Sequence, residues 1–139
     1  MSRILNAFYE EVRGEEYLTF NPGILMGGTF VEYDTSTGKG EVFGKSNVVS
    51  QTATVKGGLR FISEEQKEEA RNKMREIVAK NLPQTSATVS FTDSYPAMVP
   101  TEGNNRLLAE LNQVSQDLNQ GEVIGYDPGK RGAADTSFV

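Results

Sequence analysis

The sequence has no cysteine and no histidine among its 139 residues. Without cysteine, disulfide bonds, thiolate metal sites and thiol nucleophiles are excluded. Without histidine, the chain lacks the commonest general base and the commonest zinc ligand. A serine nucleophile would have no imidazole to activate it, and no Ser-x-x-Lys motif opens a helix. The chain by itself is therefore not expected to hold a catalytic zinc or to perform covalent catalysis.

Positive charge and long apolar runs are also scarce. The chain has 14 lysines and arginines against 19 acidic residues, which gives a net charge of −5. This balance argues against a nucleic-acid partner, because phosphate binding needs a concentrated basic face. No apolar run approaches the roughly 18 residues of a membrane helix, so no membrane partner is expected. The composition is that of a soluble globular protein. It does not determine the compartment, so both a cytoplasmic and a periplasmic location stay open.

Hydrophobic spacing predicts three helices, over residues 3–13, 64–82 and 103–118. The second helix has the clearest start, because Ser63 is a good N-cap and Gln66 stands at the third helical position, a capping-box arrangement. Its basic residues alternate with glutamates, which indicates a solvated helix face; they are Lys67, Arg71, Lys73 and Arg75.

Alternating or apolar runs predict six short strands, over residues 16–26, 30–33, 41–43, 50–61, 85–92 and 122–126. The polar stretch 34–40 predicts a hairpin turn. The order helix, strands, helix, strand favours an α+β fold, with an antiparallel sheet of about four strands and two helices on one face. Two prolines at 95–101 mark a connection to a partial α/β segment. Because residues 129–139 begin a loop-to-helix pattern and stop, we expect a piece of a longer protein.

Two residues are candidates for binding an anion. Asn47 precedes a strand, where its amide can bind a carboxylate or simply cap a turn. Arg60 ends that strand after two glycines, where it can pair bidentately with an anion or remain a surface arginine. The glycine-containing stretches 27–29 and 37–40 lack the full phosphate-loop pattern and are interpreted as turns.

An ordered set of short motifs resembles a known enzyme family. The set consists of Phe20-Asn-Pro-Gly-Ile-Leu-Met-Gly-Gly-Thr29, Gly44-Lys-Ser-Asn-Val-Val49, Ala53-Thr-Val-Lys-Gly-Gly-Leu-Arg60, Ser63-Glu-Glu-Gln66, Tyr95-Pro-Ala-Met98, Glu102-Gly-Asn-Asn105 and Arg131-Gly-Ala-Ala-Asp135. Each motif is short, but their order and spacing span nearly the whole chain. The set is similar to zinc-dependent metallopeptidases of the carboxypeptidase G, glutamate carboxypeptidase and aminoacylase type.

The resemblance implies a division of the chain. Residues 1–94 correspond to a ferredoxin-like lid and dimerisation domain that lacks its first strand. Residues 95–139 correspond to a partial segment of the zinc catalytic domain. The chain would then form a homodimer, and the zinc of the intact enzyme would be bound by residues outside this chain. The implied reaction is hydrolysis of the amide bond of a peptide or N-acyl amino acid.

The resemblance also implies a set of substrate-binding residues. Asn47 corresponds to an asparagine that reaches the substrate carboxylate, often in the active site of the partner subunit. Arg60 corresponds to an arginine with a structural or anion-pairing role. Gly132 and Asp135 correspond to a glycine-rich segment that lines the substrate pocket. Two other interpretations stay open: a stand-alone oligomerisation or small-ligand-binding module without catalysis, and an α+β domain with no assigned role.

Overall fold

A computed structural model describes residues 1–130 and 132–138 of the chain. The elements are α1 (Ser2–Glu11), β1 (Thr19–Gly28), β2 (Phe30–Asp34), β3 (Lys39–Phe43), β4 (Thr52–Arg60), α2 (Glu64–Ala79), α3 (Glu102–Asp117) and two 3-10 turns (Pro128–Lys130 and Asp135–Phe138). The predicted α+β class is confirmed, and so are the three helices and the hairpin at 30–43.

The four strands form two antiparallel sheets of two strands each, β1 with β4 and β2 with β3. The pairing of β1 with β4 is interrupted by a bulge between Asn21 and Ile24. Pro22 lies in this bulge, where its missing N–H costs no ladder hydrogen bond. The opposing Gly57 packs directly on the carbonyl of Asn21, so a larger residue there would collide with the bulge.

The core lies between the two N-terminal helices and the sheet formed by β1 and β4. Its buried members come from α1, from the connection between α1 and β1, and from α2; they are Ile4, Val12, Leu18, Ala70, Met74, Ile77 and Val78. Half-buried side chains of the sheet pack against them, including Phe20 and Leu59. The ring of Phe20 also makes an edge-on contact with Phe8 of α1, at 6.2 Å between ring centroids.

The start of α2 is fixed by side-chain capping. The Ser63 hydroxyl accepts the backbone N–H of Gln66 at 3.1 Å, which confirms the predicted N-cap. The Gln66 side chain accepts the N–H of Ile62 at 3.0 Å and donates to the carbonyl of Glu16, also at 3.0 Å. One glutamine therefore holds both the helix start and the loop between α1 and β1.

The segment predicted as a strand at 85–92 shows the alternating burial of a strand but is not paired with another strand in the described residues. Ala87, Val89 and Phe91 are half-buried against the core, and the residues between them are exposed. No ladder pairs this segment with another strand in the described part of the chain. The predicted alternation is confirmed, whereas the predicted strand pairing is absent from residues 1–130 and 132–138.

The predicted strand at 122–126 is wrong. Residues 121–127 have no strand structure and lie along α3, where the backbone N–H of Val123 donates to the side chain of Asn112 at 2.8 Å. A short alternating run forms a strand only when another strand is available to pair with it, and α3 offers a helix surface instead. Within the described residues, no helix is long and apolar enough to cross a membrane.

Candidate functional site

Asn47 lies in the exposed loop between β3 and β4. Two backbone hydrogen bonds fix the base of this loop: Gln51 donates to the carbonyl of Gly28 at 3.0 Å, and Thr29 donates to that of Phe43 at 2.9 Å. Gly28 is required there, because a Cβ would lie 2.6 Å from the carbonyl oxygen of Phe43. The Asn47 side chain is exposed and hydrogen bonds to no residue of the described chain. Its amide is therefore available to an external ligand.

The Asn47 loop is also apolar on its outer side. Val49 is 89% exposed, which leaves nearly its whole side chain in water. Val48 and Phe43 are exposed as well. An amide flanked by exposed apolar side chains suits a surface that meets another protein, because burial of those side chains is favourable.

Arg60 lies at the opposite end of β4, beside the bulge. It stands across from Thr19 in the sheet register and lines an open depression of about 370 Å³. Thr19, Phe20, Asn21 and Gly58 complete the lining. The guanidinium forms no ion pair with the described residues. The depression thus combines an unpaired cation with a hydroxyl and an amide, a set that suits a carboxylate. Thr19 and Asn21 were missed in the sequence because the register of β1 against β4 brings them there.

The structure places Asn47 and Arg60 in two separate locations. Asn47 precedes Thr52 at one end of β4, and Arg60 is the last residue at the other end. A strand of this length spans roughly 26 Å at about 3.3 Å per residue. Asn47 and Arg60 of one chain therefore cannot contact the same small carboxylate.

Gly132 and Asp135 lie in the C-terminal segment, away from both of these locations in sequence. Asp135 Oδ1 accepts the hydroxyl of Tyr95 at 3.1 Å, and the rings of Tyr95 and Phe138 are 5.4 Å apart. Gly132 is exposed, and a Cβ there would meet nothing within 4 Å. Arg131, which precedes it, lies outside the described residues. These contacts hold the last turn against the 95–98 segment and form no shared pocket with Asn47 or Arg60 in the described part.

The basic face of α2 is only partly solvated, which corrects the prediction for two of its members. Lys67 and Arg71 are each 8% exposed, whereas the side chains of Lys73 and Arg75 are about half exposed. The two buried cations meet Asp93, at 3.6 Å from Lys67 and 2.5 Å from Arg71. The helical pattern did not reveal this burial because the covering segment comes from residues 87–93.

These contacts shift the titration of the groups involved. The hydrogen bond from Arg71 lowers the pKa of Asp93 below its ordinary value of 3.8, and the charges of Arg71 and Lys67 add to the effect. The hydrogen bond from Lys67 lowers the pKa of Glu64 in the same way. Asp93 is therefore ionised at neutral pH and holds the 87–93 segment on α2.

A metal site is not formed by the described residues. No group of three or more histidine, cysteine, aspartate or glutamate side chains lies close enough together there to hold a metal ion. The residues present do not fit a zinc ion, which usually binds histidine, cysteine or carboxylate ligands in a tetrahedral set.

The fold and the exposed loop define a small α+β domain with surfaces suited to protein contact. The sequence matches the peptidase dimerisation domain family over residues 1–86, and the chain belongs to this family. The match ends between α2 and the segment 87–93 that docks on it. No curated protein and no solved structure matches the chain.

Proposed function

We propose that this chain is part of a zinc-dependent metallopeptidase or amidohydrolase, and that it supplies substrate-carboxylate binding and a dimer contact. Residues 1–94 are its lid and dimerisation domain without a first strand, and residues 95–139 are a segment of its catalytic domain. The family match over residues 1–86 carries this proposal. Because the described residues do not fit zinc, the metal would be bound elsewhere in the parent enzyme.

Asn47 is the proposed carboxylate ligand. Its unpaired side-chain amide is exposed on a loop with a fixed base, so it can donate to a carboxylate of a peptide or N-acyl amino acid. The exposed valines beside it would be covered by the second subunit, which places the amide at the boundary between two chains. Arg60 is proposed to bind a second anionic group, since it lies at the far end of β4.

The proposal that the chain is a carboxylate-binding part of a zinc-dependent hydrolase is tested by an activity assay and by a binding experiment. The purified chain, supplied with zinc, is expected to show no hydrolysis of N-acetylglutamate or of short peptides; zinc-dependent turnover would refute the proposal.

In an isotope-labelled chain, N-acetylglutamate is expected to shift the side-chain amide resonance of Asn47. Asn81 is a matched exposed asparagine whose resonance should not move. Equal shifts of both resonances would show non-specific binding and would count against Asn47.

The proposed dimer contact at the exposed valines beside Asn47 is tested by analytical ultracentrifugation. We expect the chain to form a dimer at about 10–100 μM, the range of a weak interface. The Val49→Asp variant should shift the equilibrium to monomer, because a carboxylate would replace an apolar contact. Leu107→Asp, on the similarly exposed face of α3, is the matched control and should leave the dimer intact. A wild-type chain that stays monomeric at these concentrations would contradict the pairing role.

A further inference from the structure

The loop that carries Asn47 has one charged side chain. Residues 44–51 contain no aspartate or glutamate, and Lys45 is their only lysine or arginine. The chain as a whole is acidic, with 19 aspartates and glutamates against 14 lysines and arginines. Lys45 therefore contributes a local positive potential beside Asn47, on a chain whose net charge is negative.

The ammonium group of Lys45 has no partner in the described part of the chain. It forms no ion pair with a described acidic residue and lies over no described aromatic ring. Lys56 of β4 differs in this respect, because its ammonium lies 5.7 Å from the ring centroid of Tyr33. The charge of Lys45 is therefore available to an external anion.

A tight turn brings Lys45 and Asn47 close together. The backbone N–H of Val48 donates to the carbonyl of Lys45 at 3.1 Å, which makes residues 45–48 a β-turn. Lys45 is the first residue of this turn and Asn47 is the third, so their Cα atoms are at most about 7 Å apart. The flexible four-carbon stem of lysine can bring its ammonium beside a group that is bound to the Asn47 amide.

The start of the turn is anchored to the sheet. The carbonyl of Phe43, two residues before Lys45, accepts the backbone N–H of Thr29 at 2.9 Å. Gly44 lies against the same corner, since a Cβ on it would be 3.6 Å from the Cα of Gly28. An anchored backbone loses less conformational entropy when two of its side chains converge on one ligand.

We propose that Lys45 is the second ligand of the carboxylate bound by Asn47, so that the turn 45–48 selects free carboxylates over neutral amides. The ammonium of Lys45 binds one carboxylate oxygen, and the side-chain N–H of Asn47 donates to the other. A neutral amide offers the turn one acceptor oxygen and no charge. This inference rests on the proposed role of Asn47 and names the substrate class of that site, which is a compound with a free carboxylate.

The probes are N-acetylalanine, which has a free carboxylate, and N-acetylalaninamide, in which a neutral amide replaces it. Each is titrated into the isotope-labelled chain, and the dissociation constant is obtained from the side-chain amide resonance of Asn47. We expect N-acetylalanine to bind at least about tenfold more tightly than the amide, because charge-assisted hydrogen bonds are about twice as strong as neutral ones.

Variants of Lys45 test its part in this preference. Lys45→Met keeps a long side chain and removes the charge, so it should weaken N-acetylalanine binding by about tenfold and change amide binding by less than about twofold. Lys45→Arg keeps the charge and should keep the preference. Lys39→Met, at the other end of β3, is the matched exposed control and should bind both probes as the wild type does.

Salt gives a second measurement of the same charge. Raising sodium chloride from about 20 mM to about 500 mM should weaken N-acetylalanine binding more in the wild type than in Lys45→Met, because salt screens exposed charges. If N-acetylalanine shifts the Asn47 resonance but binds Lys45→Met as tightly as the wild type, Lys45 is a solvated lysine. That result would overturn this inference and leave the role of Asn47 intact. If N-acetylalanine does not shift the Asn47 resonance of the wild type, the proposed role of Asn47 is wrong and this inference fails with it.

Discussion

The helices α2 and α3 have the same length of 16 residues and opposite environments. Each begins with a hydroxyl N-cap, and each carries apolar residues at helical spacing. Four apolar side chains of α2 are buried, whereas Leu107, Leu111, Val114 and Leu118 on and after α3 are each more than half exposed. Helical periodicity therefore predicts correctly that both segments are helices. It predicts a buried apolar face correctly only for α2.

The difference between the helices comes from what they pack against. α2 lies on α1, on the sheet and on the segment 87–93, and it completes the core. α3 is lined by the irregular residues 121–127, and the only buried residue assigned to it is Ser115, whose hydroxyl donates to the carbonyl of Gly121 at 2.9 Å. Because most helical stability in proteins comes from tertiary packing, α2 should be far more stable than α3.

The largest expected effect is from truncating a core residue of α2. Ile77→Ala should lower the free energy of unfolding by about 2–5 kcal/mol, because Ile77 is 2% exposed and its removal leaves a cavity. Leu111→Ala in α3 is the matched control and should change that free energy by less than about 0.5 kcal/mol. Urea titration followed by circular dichroism measures both. Equal losses would show that α3 belongs to the same core.

An intermediate effect is expected from the two helix caps. Ser63→Ala should lower the free energy of global unfolding by about 1 kcal/mol, because the N–H of Gln66 loses its acceptor. Thr101→Ala removes the equivalent bond to Asn104 in α3. It should reduce local helix content without shifting the urea midpoint of the core. If Thr101→Ala shifted that midpoint, α2 and α3 would unfold together as one cooperative unit.

The smallest expected effect is the pH dependence contributed by Asp93. Its pKa is lowered in the folded chain, chiefly by the hydrogen bond from Arg71, so its stabilising contribution is complete well above 3.8. The contribution falls as the pH drops below about 3.8, through the pKa of the folded state. The stability difference between wild type and Asp93→Asn should therefore be larger at pH 7 than at pH 3. Asp117→Asn, in α3, is the control expected to follow the wild type at both pH values.

Local structure was largely predictable from the sequence. The three helices, the Ser63 cap and the hairpin at 30–43 depend on spacing, capping and turn residues that are close in sequence, and all are confirmed. The 85–92 alternation also gave the correct buried face. Strand pairing was less predictable, because it depends on partners far along the chain. The short run at 122–126 has no such partner in the described residues and lies on α3 instead.

The individual residues of the candidate site were predictable from the sequence, but their positions relative to one another were not. Asn47 and Arg60 are exposed and unpaired, but the register of β4 puts them at opposite ends of one strand. Thr19 and Asn21 join Arg60 only through the pairing of β1 with β4. The burial of Lys67 and Arg71 likewise depends on a segment more than 20 residues away, since Arg71 and Asp93 are 22 positions apart. The roles of Asn47, Arg60, Gly132 and Asp135 in substrate binding stay predictions.

The most direct test of the account is hydrogen exchange of the whole chain, resolved along the sequence by mass spectrometry. We expect peptides from α1, β1, β4 and α2 to exchange slowly and together, as one cooperative unit. Peptides that cover α3 and residues 121–130 should exchange faster by at least about tenfold, because little apolar surface there is buried. Equal protection of α2 and α3 would contradict the claim that α2 belongs to the core and α3 does not.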